Sequence, residues 1–198
     1  DSMAADAAAE TLLSQGISKL DGLILTHYDR DHAGGVENLL SRIDVDMMIL
    51  PPIFSALPLE SENILYACED LVLTTDQSKI YIYSSPNAGT SNEMSLCILF
   101  DTENCDILVT GDRSEYGEWL LMTEHTLPKV DILIAGHHGS KNSTSKELLE
   151  AVKPETVIVS AGADNPYGHP AKELLQRLQE FGCEIYRTDE NGTIIYRR

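Results

Sequence analysis

Residues 26–35 read THYDRDHAGG. Within six positions the stretch sets two imidazoles and two carboxylates, His27, Asp29, Asp31 and His32, and it closes on Gly34 and Gly35. Residues two apart in an extended chain share a side, so His27, Asp29 and Asp31 point one way, and His32 joins them as the chain turns. The glycines lack a Cβ and let the backbone bend at once into the next helix. Without a cation these four groups would repel or compete for protons. Nitrogen and oxygen donors at this density suit Zn²⁺, Mn²⁺ or Fe²⁺. Just upstream, LDGLILT (20–26) is a short apolar run fit for a buried strand. The donors therefore hang from a strand end.

Three further stretches have the same build. LVTGD (108–112) ends a strand in Asp112; AGHHGSKNSTS (135–145) ends one in the pair His137–His138; SAGADNPYGHP (160–170) offers Asn165, Tyr167 and His169. Four strand ends finishing in His or Asp among glycines make one edge of the sheets the reactive edge. Ser140, Lys141 and Ser143 lie where a phosphate could be held.

The rest of the chain supplies the scaffold. An alanine-rich helix is expected through Leu13, closed by Gly16, and another after Gly35 with Val36, Leu39 and Leu40 inward. VDMMILP (45–51) reads as a strand, and SENILYACEDLVL (61–73) has Ile64, Leu65, Cys68, Leu71 and Val72 at helical spacing. Strands follow at 79–84, 93–101 and 105–112. Then come helix 114–124, strand 131–135, helix 144–152, strand 156–160, helix 171–181 and a final hairpin, 184–187 with 193–197. Tyr116 and Trp119 fall on the first of these helices, read as a core helix. TSKE (144–147) is a capping box for the second. Alternating strands and helices predict an α/β fold of layered sheets flanked by helices.

Composition narrows the function. Fourteen basic against 32 acidic side chains give a net charge of −18, which disfavours long-range attraction to a polyanion. No stable binding of duplex nucleic acid is expected. A nucleic-acid substrate has to be short or single-stranded and held through bound cations. Cys68, Cys97, Cys105 and Cys183 are scattered without a CxxC pair, so neither a zinc knuckle nor a disulfide framework is indicated. The sequence has no apolar run of membrane-spanning length, and the opening DSMAADAAAE, with no basic region before an apolar stretch, is not expected to act as a signal peptide.

HYDRDH resembles the HxHxDH signature of the metallo-β-lactamase fold, with Asp29 in place of the second histidine. Together with VTGD, GHHGS, VIVSAG, YGHP and RTDENGTI, it is similar to the metallo-hydrolase domain at the C-terminus of ComEC-type competence (DNA-uptake) proteins and their stand-alone relatives. The likeness runs from about Leu20 to the end of the chain. It implies an αββα sandwich of the metallo-β-lactamase type, one hydrolase domain over residues 1–198, and two divalent ions, Zn²⁺ or Mn²⁺. By the same likeness His27 and Asp29 would hold the first metal, Asp31 and His32 the second, and Asp112 would bridge them. One histidine of the His137–His138 pair would complete the second site, the spacing leaving open which. Asp31, His137, His138 and His169 would be the catalytic groups. Asn92 stands in the region where the family has a further histidine, which tilts the first site toward Mn²⁺. The family also opens with two or three strands that have no counterpart before Asp1, so the chain is expected to be a fragment of a longer one or to lack part of one sheet.

The function so implied is a two-metal phosphodiesterase or nuclease tied to DNA uptake, acting on a phosphodiester such as single-stranded DNA. The alternatives are hydrolysis of another ester, a phosphocholine ester or a lactone, and a non-catalytic module in which metal is structural. Within a ComEC-type protein the domain would be tethered to the membrane on its outer face through the parent's channel domain; otherwise it would be soluble.

Overall fold

The structure is a computed structural model and describes residues 2–52 and 63–196. In its first part α1 (Ser2–Ser14) is followed by β1 (Lys19–Leu20), β2 (Leu23–Ile24), α2 (Arg30–Ala33), α3 (Val36–Leu40), β3 (Asp44–Val45) and β4 (Met48–Leu50). Five strands come next: β5 (Ile64–Tyr66), β6 (Leu71–Thr74), β7 (Ser78–Tyr83), β8 (Cys97–Thr102) and β9 (Ile107–Val109). The remainder is α4 (Glu115–Glu124), β10 (Ile132–Ile134), a 3₁₀ turn (Gly136–Gly139), α5 (Lys146–Val152), β11 (Thr156–Val159), α6 (Lys172–Phe181), β12 (Glu184–Arg187) and α7 (Thr188–Asn191).

Seven strands form one sheet in the order β12-β11-β10-β9-β8-β7-β6, and β2-β4-β5 form a smaller one. Strands β9 to β12 run parallel, as do β2, β4 and β5, whereas β6 to β9 pair antiparallel. A short parallel pair, β1 with β3, lies apart.

Side-chain alternation along the strands creates the layers. In β8 and β9, Cys97, Leu99 and Leu108 turn to one face of the large sheet, where they pack with Leu121 of α4, Leu148 and Leu149 of α5, and Leu174 and Leu178 of α6. Their neighbours Ile98 and Val109 turn to the other face and meet Ile49 of β4 and Ile24 of β2. In β4 itself, Met48 and Leu50 point away from Ile49, toward Ala33 and Val36 under α2 and α3. The layers are thus helices, large sheet, small sheet, helices: the αββα sandwich of the α/β class.

Four local expectations are corrected. Residues 63–73 do not form a helix; β5 and β6 lie there instead, and 61–62 fall outside the described residues. The apolar positions 64, 65, 71 and 72 serve two short strands as well as one helical face, and pairing with β4 and β7 decides for strands. The apolar run at 20–26 is broken after Leu20, and that at 45–51 after Val45, so each contributes to two sheets. The final hairpin keeps its first strand, but α7 follows it and no strand occurs among described residues 192–196. Finally, α5 is capped by Ser145, whose side chain accepts from the Leu148 N–H, rather than by Thr144. No helix among the described residues is long and apolar enough to cross a membrane.

Candidate metal centre

Each predicted donor sits just past the carboxyl end of a parallel strand, where open α/β sheets commonly place their ligands. β2 leads into His27 and α2, β9 into Asp112, β10 into the Gly136–Gly139 turn, and β11 into the loop that carries His169. The two sheets are tied at this edge by the Leu96 N–H, which donates to the Thr26 carbonyl at 2.8 Å. Gly111, at φ +61°, makes the approach possible: a Cβ there would lie 2.8 Å from Ser95 Cβ and 3.3 Å from Thr26 Cβ.

Asp112 is the hub. It is buried, at 4% exposure. His32 Nε2 lies 3.3 Å from its Oδ1, while His27 Nε2 at 3.5 Å and His137 Nε2 at 3.6 Å face its Oδ2. Helix α4 is capped by Ser114, which accepts from the Tyr116 N–H, so Asp112 is not spent on capping. Burial by itself would raise the Asp112 carboxyl, but the His27 and His32 imidazoles outweigh it and hold the group far below the usual carboxylate range.

His138 reaches across the sandwich. Its Nε2 is 3.1 Å from Asp31 Oδ2 and 3.1 Å from His32 Nε2. Its Nδ1 lies 2.9 Å from the Ser160 carbonyl. A carbonyl only accepts, so in the neutral ring Nδ1 carries the proton and Nε2 presents its lone pair. Asp31, His32, Asp112 and His138 each offer one donor atom, and these atoms all lie within 4.8 Å of one another. Tetrahedral Zn²⁺ with bonds near 2.0–2.1 Å sets its donors about 3.3 Å apart. The two facing Nε2 atoms come close to that spacing. His27 Nε2 is buried without a hydrogen-bond partner, as is His169 Nδ1. The unpaired, buried His27 nitrogen, 3.5 Å from the buried Asp112 carboxylate, fits a divalent ion.

The other predicted residues are arranged around this cluster. Asp29 is exposed, and its Oδ1 accepts from Ser91 Oγ at 3.4 Å. His137 stands between Asp112 and His169, with its ring 5.9 Å from that of His169. Partial burial, with His137 and His138 adding to it, lowers the basicity of His169. Asn165 fixes the His169 backbone, accepting its N–H at 3.0 Å. Tyr167 is 78% exposed and stacks beside His169. Tyr28 instead packs under the loop, donating to the Pro51 carbonyl at 2.8 Å; burial pushes its hydroxyl up to about 12.

Ser143 is fully buried and donates to the Arg113 carbonyl at 2.8 Å, and Ser140 is buried too, so of the suggested phosphate holders only Lys141 is exposed. Tyr116 and Trp119, expected in the core, are 55% and 54% exposed. Arg113, which the sequence did not single out, is fully buried beside Asp112. It donates to the carbonyls of Ser95, Gly117 and Tyr83 and to Ser85 Oγ. A lone arginine after GD carries no signal of burial in the sequence.

Comparison with known proteins bears on the family and the fold. Residues 2–163 match the family model described as the metallo-beta-lactamase superfamily. ComE operon protein 3 of Bacillus subtilis is 36% identical over 199 residues, covering 94% of this chain and 26% of that protein. Competence protein ComA of Neisseria gonorrhoeae is 29% identical over 195 residues, covering 95% and 27%. The chain thus spans about a quarter of the length of these relatives. Among solved structures, the metallo-beta-lactamase fold protein YhfI from Bacillus subtilis superposes with a TM-score of 0.57 at 14% identity, covering 91% of this chain and 80% of that one. Donors at matching strand ends, the four-layer sandwich and these matches lead to one assignment: the chain belongs to the metallo-beta-lactamase superfamily, with ComEC-type competence proteins as its relatives.

Proposed function

We propose that this chain hydrolyses a phosphodiester, with single-stranded DNA as the substrate class, at a centre for two divalent cations, Zn²⁺ or Mn²⁺. The observation that carries the reading is the convergence of Asp31, His32, Asp112 and His138 from three separate segments, their donor atoms within 4.8 Å of one another. The competence names of the relatives support a link to DNA uptake. In this reading Asp31, His32, Asp112 and His138 would hold one cation, and His27 and Asp29, together with Asp112, would hold the other. The cations, when bound, lower the pKa of a water and neutralise charge on the phosphoryl oxygens.

The protein's own groups do the rest. Asp112, held ionised, fixes the spacing of the imidazoles. His137 stands beside Asp112, and His169 stands beside His137. A water oxygen bonds to phosphorus as the water gives a proton to one of these histidines, the phosphorus–oxygen bond to the leaving group breaks, and that histidine passes the proton on to the leaving oxygen. Tyr167 offers an exposed ring on which a base can stack. The net charge of −18 favours short or unpaired strands over duplex. Attachment to a membrane, through a channel domain of a longer parent, belongs to the same proposal.

The test is hydrolysis of single-stranded DNA and of a bis-aryl phosphate by protein loaded with Mn²⁺ or Zn²⁺, beside a phosphocholine ester and a lactone. Turnover of the diesters is expected. Bound metal with turnover only of the other esters, or of none, overturns the reading.

A further inference from the structure

Behind the histidine turn lies a clamp that the metal ligands do not explain. Glu118, on the inner face of α4, is fully buried. Its carboxylate accepts the backbone N–H of Thr144 with one oxygen and that of Ser145, at 2.8 Å, with the other. Thr144 is also fully buried. Its hydroxyl accepts the Gly136 N–H at 2.9 Å, and Gly136 opens the turn that carries His137 and His138. From the opposite side Arg177 of α6 donates to the carbonyls of Ser143 at 2.8 Å and Thr144 at 2.9 Å.

This clamp holds an unusual backbone. His137, His138 and Thr144 have φ of +49°, +54° and +55°. That region suits glycine, and a β-branched residue there is an outlier. Such conformations persist only where the surroundings over-determine them. Two successive left-handed histidines turn both rings toward Asp112. Capping of α5 does not require Glu118, since Ser145 caps that helix with its own side chain. A buried carboxylate is costly to keep, and this one bonds the very segment whose hydroxyl anchors the histidine turn.

We infer that Glu118 and Thr144 are positioning residues of the metal centre, a buried carboxylate and hydroxyl in series that aim His138 at Asp31, His32 and Asp112. The inference rests on the reading that this cluster holds a divalent ion, and not on the reaction proposed for it.

The experiment measures Mn²⁺ and Zn²⁺ affinity by competition with a chelating dye, and melting of the metal-free protein in EDTA. The proteins are the wild type, Thr144→Val, Thr144→Ser and Glu118→Gln. Outer partners of metal ligands typically set about 10- to 100-fold in affinity. Thr144→Val, which keeps the shape and loses the acceptor, is expected to weaken binding by that factor, and Thr144→Ser to restore it to within about threefold of wild type. Glu118→Gln keeps one acceptor oxygen and is expected to lose about tenfold. A folded Thr144→Val protein that melts lower in EDTA yet binds both ions as wild type does would overturn the inference. If that variant does not fold, wild-type affinity in Glu118→Gln overturns it instead. A wild type that binds neither ion removes the metal reading itself, an outcome distinct from either.

Discussion

His138 Nε2 lies 3.1 Å from His32 Nε2, although the two residues are 106 positions apart in the chain. His138 Nδ1 lies 2.9 Å from the Ser160 carbonyl on the other side of its ring, so the Nε2 lone pair of the neutral ring faces His32 and Asp31, where an ion can take it. Removing His138 or Asp31 should therefore remove an ion as well as a contact. Elemental analysis of His138→Ala and Asp31→Ala, purified without chelator, should show one equivalent fewer than wild type.

His169 should behave differently. It borders the cluster without belonging to the four-donor group. His169→Ala is expected to keep the wild-type metal content while its diester hydrolysis falls by about 10²-fold or more. Parallel metal and rate measurements on one preparation check this. A loss of metal in step with rate would make His169 a ligand.

The carboxyl of Glu118 gives stability a pH dependence. Burial pushes it up to about 7, against the hydrogen bonds from Ser145 and Thr144 that pull it down. The folded protein thus holds this proton more tightly than the unfolded chain. The contribution is fully present below the unfolded value near 4.5 and is lost as pH rises through about 7. Urea unfolding of metal-free protein at pH 5 and pH 8 should show wild type losing on the order of 2 kcal/mol relative to Glu118→Gln across that window.

Gly111 should tolerate no side chain. Its φ of +61° disfavours other residues, and a Cβ would collide with Ser95 at 2.8 Å. Gly111→Ala is expected to cost about 2 kcal/mol or more and to weaken metal binding, because Asp112 is the next residue. Gly16, also at positive φ but with nothing within 4 Å of its Cβ position, is the control: Gly16→Ala should cost about 1 kcal/mol and leave affinity unchanged. Urea denaturation and dye competition report both quantities.

Metal should stabilise the fold by mass action. At a hundred times its Kd a single ion that binds only the native state contributes about 2.7 kcal/mol. Thermal unfolding with Mn²⁺ and with EDTA should differ accordingly, and the difference should vanish in Asp112→Asn.

The cluster of Asp31, His32, Asp112 and His138 is legible in the sequence because its donors carry local signals. His27 to His32 share one loop, and Asp112, His137 and His138 each end a strand beside a glycine. The sandwich was legible because helices and strands alternate from 114 onward. Contacts between partners far apart in the chain leave no such signal. Glu118 meets Thr144 across 26 positions and Arg113 meets Tyr83 across 30, and no local spacing encodes either pairing. The apolar positions of residues 64–73 satisfy a helix and two strands alike, and only the neighbouring β4 and β7 choose. Aromatic rings at 116 and 119 do not reveal which face of α4 turns inward; Leu121 takes the inward place and both rings stay exposed.

Asp31 and His32 follow the small sheet, whereas Asp112 and His138 follow the large one. A cation seated among them is a rivet across the seam of the sandwich. β2 and β4, only two and three residues long, would then gain rigidity from the far layer, and their amide exchange should slow on metal loading more than that of β7 and β8.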